Sequence, residues 1–135
     1  MALAARHGVR RAIILNVSAP FHCALMQPAA ERLAADLDAT RINDARIPVV
    51  RNVDAALVQS ARQIRDGLKR QVTSPVRWED SMRTLTAAGA SLMIEAGPGK
   101  VLSGLMRQIE PSVECLHAGN SASLARVADR VRSGE

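Results

Sequence analysis

The stretch Leu92-Met-Ile-Glu-Ala-Gly-Pro-Gly99 contains a short apolar run that leads directly into a glycine-rich turn. An apolar run of this length, bounded by turn residues, predicts a strand buried on both faces. A helix is predicted directly after the turn, with Leu102, Leu105 and Ile109 on its inward side. Pro111 lies just beyond this helix, where proline is common because it cannot continue one. A strand followed closely by a helix is the repeating unit of an α/β fold.

The same alternation of strands and helices continues along the rest of the chain. Further strands are predicted over residues 12–15, 47–53 and 113–116. Further helices are predicted to start between Cys23 and Gln27, at the capping-box sequence Ser60-Ala-Arg-Gln63, near Trp78, and before Leu124. Their predicted inward faces are Leu25, Ala29, Leu33 and Leu37; Ile64, Leu68 and Val72; Trp78, Met82 and Leu85; and Leu124, Val127 and Val131. This order predicts an α/β chain with a largely parallel sheet.

The predicted sheet is small for so apolar a chain. The 135 residues are 47% apolar but include one Phe, one Trp and no Tyr, so aliphatic side chains and methionine must fill the core. About four short strands are predicted, and the apolar ones have the character of strands buried on both faces. Such a sheet normally continues into strands from elsewhere. We therefore expect the chain to be the C-terminal portion of a larger α/β domain, with unpaired strand edges that favour self-association.

The net charge of +5 comes almost entirely from arginine, since only Lys69 and Lys100 are lysines. The arginines are scattered, and almost no aromatic side chains are present for base stacking, which argues against nucleic acid as a partner. An acidic protein partner fits this charge better, whereas arginines on solvated helix faces need no partner at all.

The cysteines and the first residues of the chain help to predict the cellular compartment of the protein. Cys23 and Cys115 show no repeated spacing, so no disulfide framework is expected and a reducing environment is the default. No apolar run approaches the ~20 residues of a membrane span. Residues 1–14 carry His7, Arg10 and Arg11 where a signal peptide needs its apolar stretch. These features predict a cytoplasmic protein without membrane contact.

The segment Asn16-Val-Ser-Ala-Pro-Phe-His-Cys-Ala-Leu-Met26 places a histidine between a predicted strand and a predicted helix. A histidine at such a junction can be held rigidly with one face open, as a general base requires. The nearby helix start disfavours a positive charge on the ring, so His22 is expected to be able to accept a proton from a hydroxyl. The structural alternative is a histidine with satisfied hydrogen bonds in the core or at the helix start.

Three segments closely resemble malonyl-CoA:acyl-carrier-protein transacylases and occur in that family's order: Ser18–Met26, Gln71–Trp78 and Glu95–Leu105. The resemblance implies a hydrolase-like, parallel-sheet acyltransferase domain. Residues 16–135 would form the C-terminal part of its large α/β subdomain, and residues 1–15 would be the end of its small ferredoxin-like subdomain.

The resemblance also implies an activity, the transfer of a malonyl group from malonyl-CoA to the pantetheine thiol of acyl carrier protein in fatty-acid biosynthesis. His22 would be the general base of a Ser–His ping-pong mechanism, and the backbone carbonyl of Gln71 would orient its ring. Malonyl-CoA would be the substrate, and no cofactor or metal is expected. The family's Gly-His-Ser-x-Gly nucleophile segment is absent from these 135 residues, so the isolated chain is predicted to be inactive.

Further roles follow from the resemblance and from charge. Phe21 would favour malonyl over methylmalonyl substrates, because its ring crowds the acyl α-carbon. Arg11 and Arg107 are candidate contacts for acyl carrier protein, on the basis of position and charge. The N-terminal half of the same enzyme is an expected partner, because it would carry the missing serine.

Other chemistries fit the sequence less well. Gly97-Pro-Gly99 before Lys100 lacks the glycine spacing and the Ser or Thr of a phosphate-binding loop, so it predicts only a tight turn. Cys23 adjoins His22, and neighbouring side chains point apart, which argues against a thiol–imidazole pair. No zinc-ligand spacing is present. The remaining alternatives are a non-catalytic module that binds carrier protein and one half of a split acyltransferase.

Overall fold

The computed structural model describes residue 3, residues 6–9 and residues 17–134. After a 3₁₀ turn at Ala24–Met26, the helices are α1 (Gln27–Ala39), α2 (Ala61–Gln71), α3 (Trp78–Ala87), α4 (Val101–Ile109) and α5 (Ser121–Ser133). The strands are β1 (Val49–Val50), β2 (Leu57–Val58), β3 (Leu92–Ala96) and β4 (Glu114–Ala118). The strand predicted over residues 12–15 lies outside the described residues, as does most of the predicted ferredoxin-like segment.

The unit that begins at Leu92 forms as predicted. Strands β3 and β4 pair in parallel, in register from Leu92 opposite Glu114 to Ala96 opposite Ala118. Helices α4 and α5 follow these strands directly, so both helices start at the carboxyl edge of the parallel pair. The α/β class is therefore confirmed for this part of the chain.

The prediction of one largely parallel sheet is wrong for the described residues, which form two separate two-stranded sheets. The strand predicted over residues 47–53 is reduced to Val49–Val50, and it pairs antiparallel with Leu57–Val58, a strand that was not predicted. The chain reverses between them because the Arg51 N–H donates to the Ala56 carbonyl and Ala55 adopts a left-handed φ of 57°. Asn52 and Asp54 are residues that favour such a turn, and they were the available signal.

The core is built around methionine. Met82 of α3, Met106 of α4 and Val113 form a buried cluster, and the half-buried side chains packed around it are Trp78, Leu85, Met93, Ile109 and Cys115. Methionine suits this position because its flexible, unbranched side chain fills irregular space where large aromatic residues are scarce. The predicted inward face of α3 is thus confirmed, and Gly89 follows the helix end with a φ of 95°.

The predicted inward face of α4 is wrong for Leu102 and Leu105, whereas Ile109 packs against the core cluster as predicted. Leu102 and Leu105 are 42% and 40% exposed, whereas Ser103 and Met106 are buried. The rotation is set by Glu95, whose carboxylate accepts hydrogen bonds from the Ser103 N–H at 2.9 Å and the Ser103 Oγ at 2.7 Å. Because these bonds turn Ser103 toward the end of β3, Met106, one helical turn further on, faces the core.

A polar cap also rotates α5 away from the predicted face. Ser123 is buried because its Oγ accepts the N–H groups of Gly119 and Asn120, both at 3.0 Å. Val127 is then buried as predicted, but Leu124 and Val131 are each 56% exposed. The helix ends at Gly134, which has a left-handed φ of 67°.

The first two helices differ from their predicted faces in part, although Leu37 of α1 and Ile64 of α2 are half-buried as predicted. In α1, Ala30 is buried, whereas Leu33 is 38% exposed and Leu25, in the preceding 3₁₀ turn, is 75% exposed. In α2, Gly67 is buried and Leu68 is 46% exposed. The predicted cap of α2 is confirmed, since the Ser60 side chain accepts the Gln63 N–H at 3.3 Å. Among the described residues, no helix has both the length and the apolar character needed to cross a bilayer.

Candidate active site

The histidine segment approaches α1 through a series of tight turns. The Phe21 N–H donates to the Ala19 carbonyl at 3.0 Å, and the Cys23 thiol donates to the Pro20 carbonyl at 3.1 Å. His22 lies between these two contacts with a left-handed φ of 58°. A non-glycine residue in this region is strained and persists only where its surroundings hold it. The backbone at His22 is therefore held in a special conformation.

The structure brings the His22 ring together with the carbonyl predicted to orient it. His22 Nδ1 lies 3.0 Å from the backbone oxygen of Gln71, and the His22 side chain is exposed. A carbonyl oxygen can only accept, so this contact requires a proton on Nδ1, and in the neutral ring the lone pair is then on Nε2. Among the described residues, Nε2 makes no hydrogen bond. An exposed, unprotonated Nε2 is the arrangement that can accept a proton from a bound hydroxyl or thiol.

Gln71 is the last residue of α2, where carbonyl groups lack partners within the helix. Its carbonyl oxygen also accepts the Ser74 N–H at 3.3 Å. Its side-chain amide donates to the carbonyls of Ser74 at 3.1 Å and Pro75 at 3.3 Å. The Gln71 side chain thus braces the turn that presents its own carbonyl to His22.

The other candidate residues are placed as follows. Phe21 is 56% exposed and directly precedes His22. Arg107 is exposed in the last turn of α4. Burial raises the pKa of the Cys115 thiol, and the charge of Arg107 offsets part of that rise. Arg11 lies outside the described residues. Among the residues that the structure describes, no group of three or more His, Cys, Asp or Glu side chains could hold a metal ion.

A cluster of charges next to Gln71 was not predicted. Asp54, in the turn between β1 and β2, pairs with Arg51 and with Arg70, each at 2.6 Å. Burial alone raises the pKa of the Asp54 carboxyl, but hydrogen bonds from Arg70, from the Ala56 N–H and from Arg51 hold it below its ordinary value. Asp54 and Arg70 are 16 residues apart, so no local sequence pattern links them.

A second carboxylate has its pKa lowered at the carboxyl edge of the parallel strands. Hydrogen bonds from the Ser103 side chain and the Ser103 and Leu102 N–H groups hold the pKa of Glu95 below its ordinary value, with a smaller contribution from His117. The ionised carboxylate of Glu95 is therefore more stable in the folded chain than in the unfolded chain. This contribution to stability is complete above the unfolded pKa and disappears as the pH falls through the folded pKa.

Acidification is thus expected to weaken the folded chain through Glu95. The free energy of unfolding in urea should fall from about pH 5 to about pH 3, and Glu95→Gln should reduce the steepness of that fall. Glu79→Gln is the matched control, because Glu79 makes only an exposed ion pair with Arg83. Equal pH profiles for wild type and Glu95→Gln would contradict the assignment.

An apolar cavity of about 310 Å³ opens beside the core. Its lining includes Trp78, Met82, Leu92, Leu102 and Met106. The indole Nε1 of Trp78 is buried and has no hydrogen-bond partner among the described residues. Glu95 and Ser103 also line this cavity, whereas His22 and Gln71 do not. The cavity is therefore distinct from the contact between His22 and the Gln71 carbonyl.

No protein-family profile matches the chain, but curated relatives do. The chain is 50% identical over 107 residues to the Malonyl CoA-acyl carrier protein transacylase of Bacillus subtilis (strain 168), which covers 79% of this chain and 34% of that protein. It is 41% identical over 128 residues to the protein of the same name from Haemophilus influenzae, which covers 95% of this chain and 41% of that protein. The chain therefore spans about a third to two-fifths of the length of these relatives.

Solved structures show the same similarity. An acyl carrier protein S-malonyltransferase from Vibrio cholerae matches with a TM-score of 0.86 at 43% identity, covering 93% of this chain and 41% of that chain. A malonyl-transacylase in complex with its type II polyketide-synthase acyl-carrier protein matches with a TM-score of 0.85 at 40% identity. The match covers 92% of this chain and 40% of that chain. Sequence and α/β fold together make this chain a homologue of the malonyl CoA-acyl carrier protein transacylases over about two-fifths of their length.

Proposed function

We propose that His22 is the general base of a malonyl transfer from malonyl-CoA to acyl carrier protein, with the nucleophilic serine supplied by a segment outside these 135 residues. The observation that carries the proposal is the 3.0 Å contact between His22 Nδ1 and the Gln71 carbonyl, which leaves Nε2 exposed. Homology to transacylases supplies the reaction class. The isolated chain would be inactive, because it lacks the Gly-His-Ser-x-Gly segment.

The reaction would proceed in two half-reactions that use the same nitrogen. Nε2 takes the proton of the serine hydroxyl as the serine oxygen attacks the malonyl thioester, and that proton then goes to the departing CoA sulfur. The product is a malonyl ester of the serine. In the second half, the pantetheine thiol gives its proton to Nε2 and its sulfur attacks the ester. The serine oxygen leaves and is reprotonated, so His22 ends as it began.

A backbone carbonyl suits this transfer as the partner of Nδ1. It fixes the ring orientation and the tautomer, as a carboxylate does in many hydrolases, but it stabilises the imidazolium less because it carries no full charge. The CoA thiolate is a good leaving group in the first half-reaction, and the serine oxygen leaves in the second with a proton returned from Nε2, so a moderate base that exchanges its proton readily is sufficient. No metal or cofactor is required by these steps.

Phe21 would influence which acyl group is accepted. Its exposed ring precedes His22 in the same series of turns, so it is available to contact the acyl chain of a substrate bound at Nε2. A ring in that position leaves little room for a methyl group on the α-carbon. One methyl group usually changes specificity by about 1–3 kcal/mol, so the expected result is a preference for malonyl over methylmalonyl substrates.

The rest of the acyltransferase would cover the apolar surface beside β3. The open apolar cavity of about 310 Å³ there is a feature that further strands would cover. The N-terminal half of the enzyme is thus the proposed partner for this face. Trp78 is the single tryptophan of the chain, so its fluorescence would report such an association.

Complementation tests the proposed function. The chain is mixed with a polypeptide that carries the serine segment of a transacylase relative, and malonyl transfer from malonyl-CoA to acyl carrier protein is measured. We expect transfer only when both polypeptides are present. A folded, associated pair that binds carrier protein without transferring malonyl would instead support the non-catalytic binding module.

Arg107 is proposed to contact the acidic carrier protein. Charge reversal in Arg107→Glu is expected to weaken carrier binding and to reduce its dependence on salt concentration, because screened attraction between opposite charges is lost. Arg132→Glu is the matched control, since it changes the net charge equally at a position 77% exposed near the end of α5. Titrations at several salt concentrations measure both effects, and equal weakening by the two variants would reject a specific contact.

A further inference from the structure

The turn between β1 and β2 is tied to α2 by ionic hydrogen bonds. Asp54 Oδ2 accepts from Arg51 Nη2 and from Arg70 Nη2, both at 2.6 Å, while Oδ1 accepts from Arg51 Nε at 3.1 Å and the Ala56 N–H at 3.2 Å. The Asp54 carboxylate thus accepts four hydrogen bonds, three of them from arginine side chains and one from the backbone. Asp54 is therefore the centre of the cluster.

Arg51 extends this connection across the face of α2. Its Nη1 donates to the Gln63 carbonyl at 2.8 Å, and its side chain is only 14% exposed. A Cβ added to Gly67 would lie 2.3 Å from Arg51 Cδ, so the guanidinium arm crosses the helix where only glycine leaves room. The glycine in the middle of α2, which ordinarily weakens a helix, thus has a packing reason.

The same turn also contacts α3, both just before its first residue and in its second half. The Arg77 N–H donates to the Asn52 carbonyl at 2.7 Å, and the Thr84 hydroxyl donates to the Ala55 carbonyl at 3.0 Å. The segment between α2 and α3 is therefore anchored at both ends by the turn at residues 51–56. Gln71, whose carbonyl contacts His22, directly follows Arg70 at one of these anchors.

We propose that Asp54 is a positioning residue, which holds the last turn of α2 through Arg70 so that the Gln71 carbonyl faces the His22 ring. Its importance for catalysis rests on the proposed function of His22. Asp54 itself touches no reacting atom. Loss of its charge would leave Arg51 mostly buried without a counterion and would release Arg70 from the turn.

The ring tautomer of His22, measured by ¹⁵N NMR in the full chain, tests this positioning without requiring activity. The His22 signals are assigned by comparison with His22→Gln, because His7 and His117 are also present. In the wild type we expect the proton on Nδ1. Asp54→Asn is expected to populate both tautomers, because the Gln71 carbonyl no longer holds a fixed position.

Asp66→Asn is the matched control. Asp66 is the other carboxylate partner of Arg70, but it is 59% exposed and lies on α2 itself, so its loss should leave the His22 tautomer unchanged. Arg70→Gln provides a second variant in case Asp54→Asn does not fold, since it cuts the same connection while keeping the Arg51–Asp54 pair. A wild-type tautomer in folded Asp54→Asn or Arg70→Gln, or an equal change in Asp66→Asn, would overturn the proposal.

The complemented enzyme separates this proposal from the proposed function. There, Asp54→Asn is expected to lower kcat roughly ten- to a hundredfold with KM for malonyl-CoA little changed, because the base is misplaced while substrate binding remains. If the tautomer changes but no complemented pair transfers malonyl, the positioning role stands and the proposed function fails. If transfer is robust and insensitive to Asp54→Asn, the positioning role fails and the proposed function stands.

Discussion

His22→Ala is expected to lower malonyl transfer by the complemented enzyme at least about a thousandfold, with both half-reactions affected. The imidazole is the group proposed to remove the proton from the serine hydroxyl and then from the pantetheine thiol. In the wild type, Nδ1 of the His22 ring lies 3.0 Å from the Gln71 carbonyl oxygen, and Nε2 of the same ring is exposed. Alanine has no proton acceptor to replace Nε2. Formation of the malonyl–serine ester from malonyl-CoA and its transfer to carrier protein can be followed separately by rapid quench and mass spectrometry.

His7→Ala is the control for this experiment, because His7 is exposed and lies far along the chain from the turns that hold His22. It should retain wild-type transfer. Circular dichroism and binding of the serine-bearing polypeptide should be unchanged in both variants. Transfer by His22→Ala within tenfold of wild type would exclude His22 as the general base.

Met106→Ala is expected to reduce the free energy of unfolding by about 2–5 kcal/mol, as deletion of a buried large side chain usually does. Met106 is 2% exposed and packs with Met82 and Val113 at the centre of the core. Its neighbours are usually able to relax only partially into such a space, so most of the cavity remains. A loss of this size is a large fraction of the stability of a small domain and is measured by urea unfolding.

Leu105→Ala is the matched control on the same helix. Leu105 is 40% exposed, so its truncation should cost less than about 1 kcal/mol. The pair of variants therefore tests the rotation of α4 set by Glu95 and Ser103. A larger loss of unfolding free energy for Leu105→Ala than for Met106→Ala would support the helix face predicted from the leucine spacing. It would contradict the observed core.

Several elements were predictable because their causes are local. The strand at Leu92, the tight turn after it and the helix that follows need only an apolar run and two glycines, and Gly97 and Gly99 indeed adopt positive φ angles of 123° and 99°. The Ser60 cap and the Gly134 helix end are likewise encoded within a few residues. The His22 and Gln71 segments were identifiable because their sequences closely resemble those of a known family.

Which faces of α4 and α5 are buried depended on contacts that leucine spacing does not reveal. Glu95 in β3 accepts the Ser103 N–H of α4, and Asn120 at the start of α5 accepts the Ser123 N–H. Both contacts draw a serine inward, and this rotation exposes leucines of α4 and α5. The antiparallel pairing of Val49 and Val58 similarly required closure of a turn whose hydrogen bonds span several residues.

The amino-acid order alone was sufficient for the strand–helix alternation from β3 to α5, several helix ends and the identity of the two segments at the candidate site, since each depends on neighbours in the chain. The meeting of His22 with the Gln71 carbonyl, 49 residues away, and the linkage of Asp54 to Arg70 arose only when the chain folded. Their physical basis is the packing of a turn against two helices, which brings distant charges and carbonyls to hydrogen-bonding distance.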